Sequence, residues 1–409
     1  MMTHFFDLLA ILVVLSALFA YVNHRFIRLP PAIGLMLTSL LLSLVLVGVG
    51  RIYPPLLQEL VELVNEVDFA DLLLEAMLGF MLFAGAIHIH LDELKKVRLP
   101  VVLFSTLSVV INTFLVGTGV FGLLQVFGLP TPYLHCLLFG ALISPTDPIA
   151  VLSILKAAGV SKSVEMKIAG ESLFNDGVGV VVFLSILKVA QHPEAMHWTD
   201  VATLFVQEAG GGVLLGFAAG FAGFYLMRNI DNYKVEVLLT LGVVMGSYLG
   251  AHQFHVSGPL AVVIAGLLIG NHGKRLAMSE ETADYIDKFW ELIDETLNAI
   301  LFVLIGLELV VLSFEPTWFA LGLIVIALGL ASRYASIWLP AQLIRLRGAI
   351  TSHTILVLTW GGLRGGISIA LALKLTPELG REMWLTLTYM VVAFSILVQG
   401  LTVGRLARQ

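Results

Sequence analysis

Two carboxylates stand inside an apolar run that is otherwise suited to cross a membrane. Residues 168–187 contain only two charged side chains, Glu171 and Asp176, and both lie well inside the run. A carboxylate at the centre of a bilayer costs on the order of 2.5–3.5 kcal/mol on insertion scales, so such residues are rare unless they have a function. On a helix, Ser172 lies one turn from Asp176, and Asn175 lies one turn from Glu171. These oxygen-bearing side chains indicate a negatively charged site for a cation or a proton.

A second polar group interrupts another apolar run at residues 144–148. Pro145 and Pro148 lack a backbone N–H, so they break a helix and free carbonyl groups near Thr146. Free backbone at membrane depth is tolerated only where it is buried in protein or lines a cavity. Thr146 can offer a hydroxyl and a carbonyl to a cation, and Asp147 can pair with a helix terminus. The alternative is a proline kink that carries Asp147 incidentally.

Two arginines also lie inside apolar runs. Arg364 belongs to the glycine-rich stretch 361–366, where it can offset the free carbonyl ends of two broken helices that cross. The alternative for Arg364 is a glycine-rich turn that faces the cytoplasm. Arg333 lies in the middle of the run 321–344 and requires a partner there. Glu171 is the natural partner because it lies beside the site rather than on it, and we expect a structural ion pair between two helices.

The composition is that of a polytopic membrane protein built from helices. Of the 409 residues, 58% are hydrophobic and only 13% are charged, and the mean hydropathy is +0.95. Apolar stretches of about 20 residues, long enough to span a bilayer, recur along the chain and leave no room for a sizeable soluble domain. The single cysteine, Cys136, excludes an internal disulfide. The sequence contains no GxxxxGK[ST] phosphate loop, so it gives no support to an ATP-driven pump.

Hydropathy and turn-forming prolines predict an all-α polytopic membrane protein with about 13 transmembrane helices. The predicted spans cover residues 5–22, 30–50, 68–89, 99–127, 133–156, 165–190, 202–227, 234–252, 256–270, 284–313, 317–343, 350–373 and 382–405. Of the 23 Lys and Arg residues, 17 fall in the odd-numbered connections and the C-terminal tail, and 4 fall in the N-terminus and the even-numbered connections. Because cytoplasmic loops carry the excess of Lys and Arg, this alternation predicts an outside N-terminus and a cytoplasmic C-terminus.

The spans divide into two six-helix blocks, spans 1–6 and spans 8–13, with one linking helix between them. The fifth helix of each block is interrupted, at residues 144–148 and at residues 361–366. The single linking helix makes the topologies of the two blocks inverted. A pair of interrupted helices at matching positions of two inverted repeats is typical of secondary transporters, and it points to the binding site.

Small residues predict close helix packing at two places. Gly177 and Gly179 follow the acidic site directly and leave room for another helix or an ion. The stretch Gly210-Gly211-Gly212 continues with Gly216 and Gly220 at helical spacing, which suits close contact between two helices.

Three further polar residues have less specific roles. Glu308 lies near the outer end of its span, where it can gate the pathway or simply reach toward the membrane surface. His88 and His90 flank a helix end on the predicted cytoplasmic side. They can sense pH, but a solvated helix end accounts for them at least as well.

The interrupted and acidic segments together resemble a known family of transporters. Residues 145–151 (PTDPIAV), 171–177 (ESLFNDG) and 362–366 (GLRGG) look like the motifs of the cation/proton antiporter superfamily. They are most similar to the NhaP-type sodium/proton antiporters of bacteria and archaea, in the same order and in the same spans. The resemblance covers nearly the whole chain.

This resemblance implies the fold of the NhaA and NhaP antiporters, in which two discontinuous helices cross. It implies one transporter unit over residues 1–409, with an ion-binding core and a dimerisation scaffold. We expect the core helices at about 68–190 and in part of 284–409, and the scaffold helices at about 1–50 and in part of 202–270. In such proteins the core moves against the scaffold like an elevator.

The resemblance also implies the roles of individual residues. Asp176 is the carboxylate that binds the ion and the proton, and Na⁺ is expected at Asp176, Ser172 and Thr146. The other residues that it assigns surround or support this site: Asp147 near the ion, Asn175 as a steadying group, Glu171 with Arg333 as the interhelical salt bridge, and Arg364 at the helix crossing. The Asn175–Asp176 pair, where electrogenic relatives have two aspartates, implies electroneutral exchange of one cation for one proton.

One position departs from the family pattern. NhaP-type proteins often carry an acidic residue in the third span, in a Leu-Phe-Glu context, that contributes to the ion site. The matching stretch here is 81–86 (MLFAGA), with Ala84 in that place. The ion therefore loses a ligand there or gains a water molecule instead.

The sequence thus predicts a secondary active transporter rather than an enzyme. We expect an electroneutral antiporter that exchanges Na⁺ or Li⁺ for H⁺ by alternating access, without a cofactor or a nucleic-acid partner. We expect it to form a homodimer in the lipid bilayer of a bacterial inner membrane. A K⁺/H⁺ antiporter on the same scaffold and a cation channel are the alternatives. An intramembrane enzyme is disfavoured because the acidic site has no paired nucleophile.

Overall fold

The fold was analysed on a computed structural model, which describes residues 2–55, 69–147, 149–191, 198–310, 312, 315–345 and 350–408. These residues are almost entirely helical, and they form no strand apart from one isolated β-bridge. The prediction of an all-α fold is therefore confirmed. Pro148, one of the two prolines used to predict a helix break, lies outside the described residues.

The helices alternate with short turns within the described ranges. In the first half they are α1 Met2–Val22, α2 Pro31–Ile52, α3 Leu78–Ile87, α4 Leu91–Lys96, α5 Arg98–Ser105, α6 Leu107–Val126, α7 Tyr133–Leu142, α8 Ile149–Ala158 and α9 Lys162–Gln191. In the second half they are α10 Trp198–Met227, α11 Tyr233–Phe254, α12 Gly258–Leu268, α13 Glu280–Glu308, α14 Pro316–Arg345, α15 Ser352–Trp360, α16 Gly366–Leu373, α17 Arg381–Phe394 and α18 Gly400–Ala407.

Shorter helical pieces extend several of these helices. Four π-helical segments follow or precede longer helices: Asn23–Ile27, Leu72–Met77, Ile269–Gly273 and Ser395–Gln399. Three turns of three residues complete the set: Phe69–Asp71, Lys274–Leu276 and the 3₁₀ turn Pro377–Leu379.

Helix starts coincide with the residues that favour them. Proline occupies the first position of α2 (Pro31) and of α14 (Pro316), where its missing N–H costs no helical hydrogen bond. Ser279 caps α13 by accepting from Thr282 N at 3.3 Å. This cap stands before the charged, amphipathic first turns of α13, which the sequence predicts as an interfacial stretch.

Every predicted span contains helix, but the helices differ in their ability to cross a membrane. By length and composition, 8 helices within the described residues are long and apolar enough to do so. Each piece of the two broken helices is too short to cross a membrane alone, and α13 carries many charged residues in its first half. The count of thirteen spans therefore stays a prediction.

The two helices predicted to be interrupted are broken at the predicted places. Among the described residues, 143–147 separate α7 from α8, and residues 361–365 separate α15 from α16. The two connecting segments run side by side, since Asp147 N donates to Leu363 O at 2.8 Å in an antiparallel bridge. At the crossing point, the two segments thus satisfy some of each other's backbone hydrogen-bonding groups without water.

Close packing through glycine occurs where the sequence predicts it. A Cβ placed on Gly212 would lie 2.5 Å from Ser257 O, and one on Gly216 would meet Ala261 O, so α10 and α12 pack backbone to backbone. A Cβ on Gly177 would lie 2.7 Å from Leu260 Cδ2, so α9 also packs closely against α12. Helix α12 therefore connects α10 with the helix that carries the two buried carboxylates.

Candidate ion-binding site

Thr146 is held at the helix break by two side chains of α9. Asn175 Nδ2 donates to Thr146 Oγ1 at 2.7 Å, and Thr146 N donates to Asn175 Oδ1 at 3.2 Å. Ser172 Oγ lies within hydrogen-bond distance of Thr146 Oγ1, at 3.1 Å, and also donates to Thr146 O. All three residues are buried. The broken segment is thereby fixed against α9 by polar contacts on both its backbone and its side chain.

Asp176 lies one turn further along α9 and has an unusual environment. Only 6% of the residue is exposed, and its Oδ1 atom is buried without a hydrogen-bond partner among the described residues. A buried, unpaired carboxylate oxygen is costly, because an oxygen withdrawn from water normally acquires a donor. Such an oxygen is suited to a ligand that comes and goes, such as a proton or a cation.

A cavity of about 500 Å³ opens beside Asp176. Its polar walls are formed by Thr146, Asp147, Asp176, Asp294 and Ser368, and Ala84 of α3 also lines it. Among the described residues there is no cluster of three or more His, Cys, Asp or Glu side chains that could hold a resident metal ion.

The same cavity is also lined by Lys156, Lys162 and Glu165. These residues flank the connection between α8 and α9, which the distribution of Lys and Arg predicts to be cytoplasmic. The cavity therefore leads from Asp176 toward the predicted cytoplasmic side.

Ser368 is a cavity residue that sequence reasoning missed. It lies in the first turn of α16, it is 1% exposed, and its Oγ has no hydrogen-bond partner among the described residues. Two buried oxygens without partners, from Asp176 and Ser368, thus line one cavity. The signal was present in the sequence, because Ser368 follows the glycine-rich break by only two residues.

At the crossing point, charged side chains lie against the free backbone groups at the ends of the broken helices. Arg364 Nη1 donates to Ser144 O at 2.7 Å and to Pro145 O at 3.1 Å, which are the carbonyls left free beyond the end of α7. Arg364 is buried, so it does not occupy a solvated turn. A Cβ on Gly365 would lie 2.8 Å from Asp147 Oδ2, which places this carboxylate against the start of α16, where the helix dipole is positive.

Glu171 and Arg333 form an ion pair inside the protein. Arg333 Nη2 lies 2.5 Å from Glu171 Oε1, and the two side chains are 3% and 2% exposed. Arg333 Nη2 also reaches Leu358 O at 3.5 Å. A Cβ on Gly362 would lie 2.7 Å from Arg333 Nε, so the glycine-rich break makes space for the arginine. The pair joins α9 to α14 beside the site.

The less specific candidates lie away from Asp176. Glu308 is buried at the C-terminal end of α13 and does not line the cavity. His88 and His90 both line the cavity just after the end of α3, and His88 Nε2 is 3.5 Å from Asp287 Oδ1 with a side chain that is 40% exposed. His88 thus occupies a partly solvated helix end, and a partner carboxylate is within reach there.

Comparison with known protein families gives a match over most of the chain. Residues 13–409 match the model of a family described as "Sodium/hydrogen exchanger, transmembrane". The chain is 50% identical over 413 residues to the Na(+)/H(+) antiporter NhaP of Pseudomonas aeruginosa, which covers 98% of this chain and 96% of that protein. It is 34% identical over 382 residues to the Na(+)/H(+) antiporter NhaH of Halobacillus dabanensis, covering 90% and 91% of the two chains.

The fold is also similar to that of a solved structure. The sodium proton antiporter MjNhaP1 from Methanocaldococcus jannaschii, solved at pH 8, superposes with a TM-score of 0.77 at 22% sequence identity. The superposition covers 99% of this chain and 98% of that one. The helical architecture is therefore an antiporter fold.

Proposed function

The chain belongs to the sodium/hydrogen exchanger family, and from this premise we propose that it is an antiporter that exchanges Na⁺ for H⁺ across a membrane. The observation that carries the proposal is the buried Oδ1 of Asp176, which has no partner among the described residues and lines a cavity. A proton and a sodium ion can each satisfy this oxygen, but not both at once. Competition for a single carboxylate couples the two fluxes.

The oxygens around the carboxylate suit an alkali cation. Na⁺ is a hard ion that prefers oxygen ligands, and the broken segment offers the carbonyl and hydroxyl of Thr146 next to Ser172. When Na⁺ binds, the Thr146–Ser172 contacts can be exchanged for contacts with the ion. Ser172 does not line the cavity in the present conformation, so we propose that it contributes through Thr146.

The stoichiometry follows from the neighbour of Asp176. Asn175 uses both ends of its amide to hold Thr146, and an amide does not titrate in the physiological range. Only one of the two adjacent side chains can therefore exchange a proton for a cation. One Na⁺ replaces one H⁺, and the exchange is electroneutral.

Alternating access requires the site to move relative to a fixed frame. We propose that α7, α8, α9, α14, α15 and α16 belong to the moving core, because Arg364 and the Glu171–Arg333 pair fasten these helices together. Helices α1, α2, α10, α11 and α12 belong to the scaffold, where a second copy would dock to give a homodimer. The membrane is the bacterial inner membrane, with the N-terminus outside and the C-terminus in the cytoplasm.

Reconstitution in liposomes tests the proposed function. Purified protein is placed in vesicles with an inside-acid pH gradient and a pH-sensitive dye, and Na⁺, Li⁺ or K⁺ is added in turn. We expect Na⁺ to dissipate the gradient at a saturating rate that does not change when valinomycin and K⁺ clamp the membrane potential. Dissipation by K⁺ alone would favour the K⁺/H⁺ antiporter, single-channel currents would favour a channel, and no response to any cation would overturn the proposal.

Ala84→Glu should tighten cation binding, because Ala84 lines the same cavity as Asp176. An added carboxylate supplies an oxygen ligand, so the apparent KM for Na⁺ should fall about three- to tenfold at high pH. Two neighbouring carboxylates resist joint ionisation, so the pH profile of exchange should also shift to higher pH. Both quantities are read from the dye assay over a range of pH and Na⁺ concentration.

The matched control for this variant is Ala84→Gln. Glutamine has the size of glutamate but no charge, so it should leave the pH profile where it is in the wild-type protein. An Ala84→Glu protein that keeps both the KM and the pH profile of the wild type would show that Ala84 does not face the ion.

A further inference from the structure

A third cavity carboxylate, Asp294, comes from a helix outside the crossing. It lies near the middle of α13, which packs mainly against α1, α2, α3 and α11 and makes few contacts with α16. Asp294 lines the site cavity together with Asp147 and Asp176. The helices of the crossing and α13 thus face each other across this space.

Asp294 also lines a second, larger cavity of about 1390 Å³, which we call the vestibule. The only residues that line both spaces, among those described, are His88, Lys156 and Asp294. One wall of the vestibule is acidic and is formed by Asp287, Glu291, Asp294 and Glu295 of α13. Asp294 is therefore the carboxylate at the junction between the vestibule and the ion site.

The spacing of these acids along α13 forms a continuous path. Asp287, Glu291 and Asp294 follow one another at four and three residues, which places them on one face of the helix. Asp294 is the last acid of this row before the side chains of α13 become apolar. A cation that moves along the row thus reaches Asp294 before the site at Asp176.

The carboxylate of Asp294 has local support and remains available to a ligand. Its Oδ1 accepts from Asn298 Nδ2 at 3.0 Å, and the same amide donates to Asp294 O at 2.8 Å, so both contacts lie within one turn of α13. None of the ion pairs formed among the described residues involves Asp294, whereas Asp287 pairs with Lys274. Asn298 is buried and fixes the rotamer of the acid at the junction.

The cavity itself indicates a ligand next to Asp294. Two buried oxygens in its walls, Asp176 Oδ1 and Ser368 Oγ, have no hydrogen-bond partner among the described residues. Of the two lysines that line the cavity, Lys156 also lines the vestibule and so lies at the junction with Asp294, whereas Lys162 stands at the start of α9. A cation between Asp294 and Asp176 would have a carboxylate on either side, with Lys156 as a basic neighbour at the junction.

We propose that Asp294 is a second, transient binding site for the transported monovalent cation, at the junction between the vestibule and Asp176. The proposal rests on the proposed antiport function. Asp294 lies on the helix that faces the core, so it can hand the ion to Asp176 when the cavity is open to the vestibule. Its negative charge raises the local concentration of the cation and thereby lowers the apparent KM.

Asp294→Asn is the first test, because asparagine keeps the shape of the side chain and an acceptor for Asn298. In the liposome assay, the apparent KM for Na⁺ on the vestibule side should rise about tenfold, while the maximal rate should stay within about twofold. Glu295→Gln is the matched control, since this exposed neighbour lines only the vestibule. It should change the KM by less than about twofold.

A chemical test introduces either a negative or a positive charge at position 294 of a single folded variant. The chain has a single cysteine, Cys136, which is buried, so Asp294→Cys introduces the one thiol that faces the vestibule. A negatively charged thiosulfonate reagent should return the KM toward the wild-type value, and a positively charged reagent should raise it further. This comparison separates the effect of charge from any effect of the substitution on folding.

Two results would overturn the proposal. One is an unchanged KM in Asp294→Asn, and the other is an equal response of Asp294→Cys to the two reagents. If wild-type protein couples Na⁺ to H⁺ and Asp176→Asn is inactive, such results remove only the role of Asp294. If wild-type protein shows no coupling, the antiport function itself has failed.

Discussion

Asp176→Asn should reduce Na⁺-driven proton movement to the level of protein-free liposomes, without loss of folded protein. Asparagine has nearly the shape of a protonated aspartate, but its amide can neither release a proton nor supply a negative charge to a cation. The change removes no ion pair that the structure shows for Asp176, and its Oδ1 has no hydrogen-bond partner among the described residues. The measurement is dye dequenching after a Na⁺ pulse, beside a melting curve in detergent.

The melting curve has its own expected outcome. Removing a charge from the membrane interior should leave the apparent melting temperature unchanged or raise it slightly, because a buried charge is costly to the fold. Asp176→Glu serves as the control that keeps a titrating group, and we expect it to retain measurable exchange. Sodium-driven proton movement by purified Asp176→Asn at a rate near that of the wild type would refute the assignment of this carboxylate.

Local rules of sequence were sufficient for the two broken helices and the ion pair. A proline pair or a glycine cluster inside an apolar run allows few structures other than a break, and the described residues of the breaks are 143–147 and 361–365. A buried arginine must find a carboxylate, and Arg333 had few candidates within the membrane. These features follow from the backbone restrictions and the burial cost of individual residues. They can therefore be predicted without knowing how the helices pack.

The composition of the cavity could not be read in this way. Asp294 stands in a charged, amphipathic stretch, where one acid looks like its exposed neighbours, and only the packing of α13 brings it to the cavity that Asp176 also lines. Ser368 is a small hydroxyl in an apolar helix, and its missing partner becomes visible only in three dimensions. Likewise, the contacts of Ser172 with Thr146 could not be read from the sequence, and the expected place of Ser172 at the ion stays a prediction.

The second large effect that we expect is a loss of stability when the ion pair between Glu171 and Arg333 is broken. Glu171→Ala or Arg333→Ala alone should cost about 3–5 kcal/mol, because each leaves a buried charge without its partner. Glu171 also interacts electrostatically with Arg364, so its removal takes a negative charge away from two buried arginines. We therefore expect Glu171→Ala to be the more damaging of the two. The measurement is the apparent melting temperature and the yield of monodisperse protein in detergent.

The double variant Glu171→Ala with Arg333→Ala decides whether the two residues act as a pair. It removes both charges together, so it should be more stable than Glu171→Ala alone, with a coupling of about 1–3 kcal/mol in the cycle. A control cycle pairs Arg333→Ala with Glu308→Ala, since Glu308 is equally buried but lies at the far end of α13. In that control cycle, the stability losses of the two single variants should add in the double variant. If the losses add for Glu171 and Arg333 as well, the ion pair does not fasten α9 to α14.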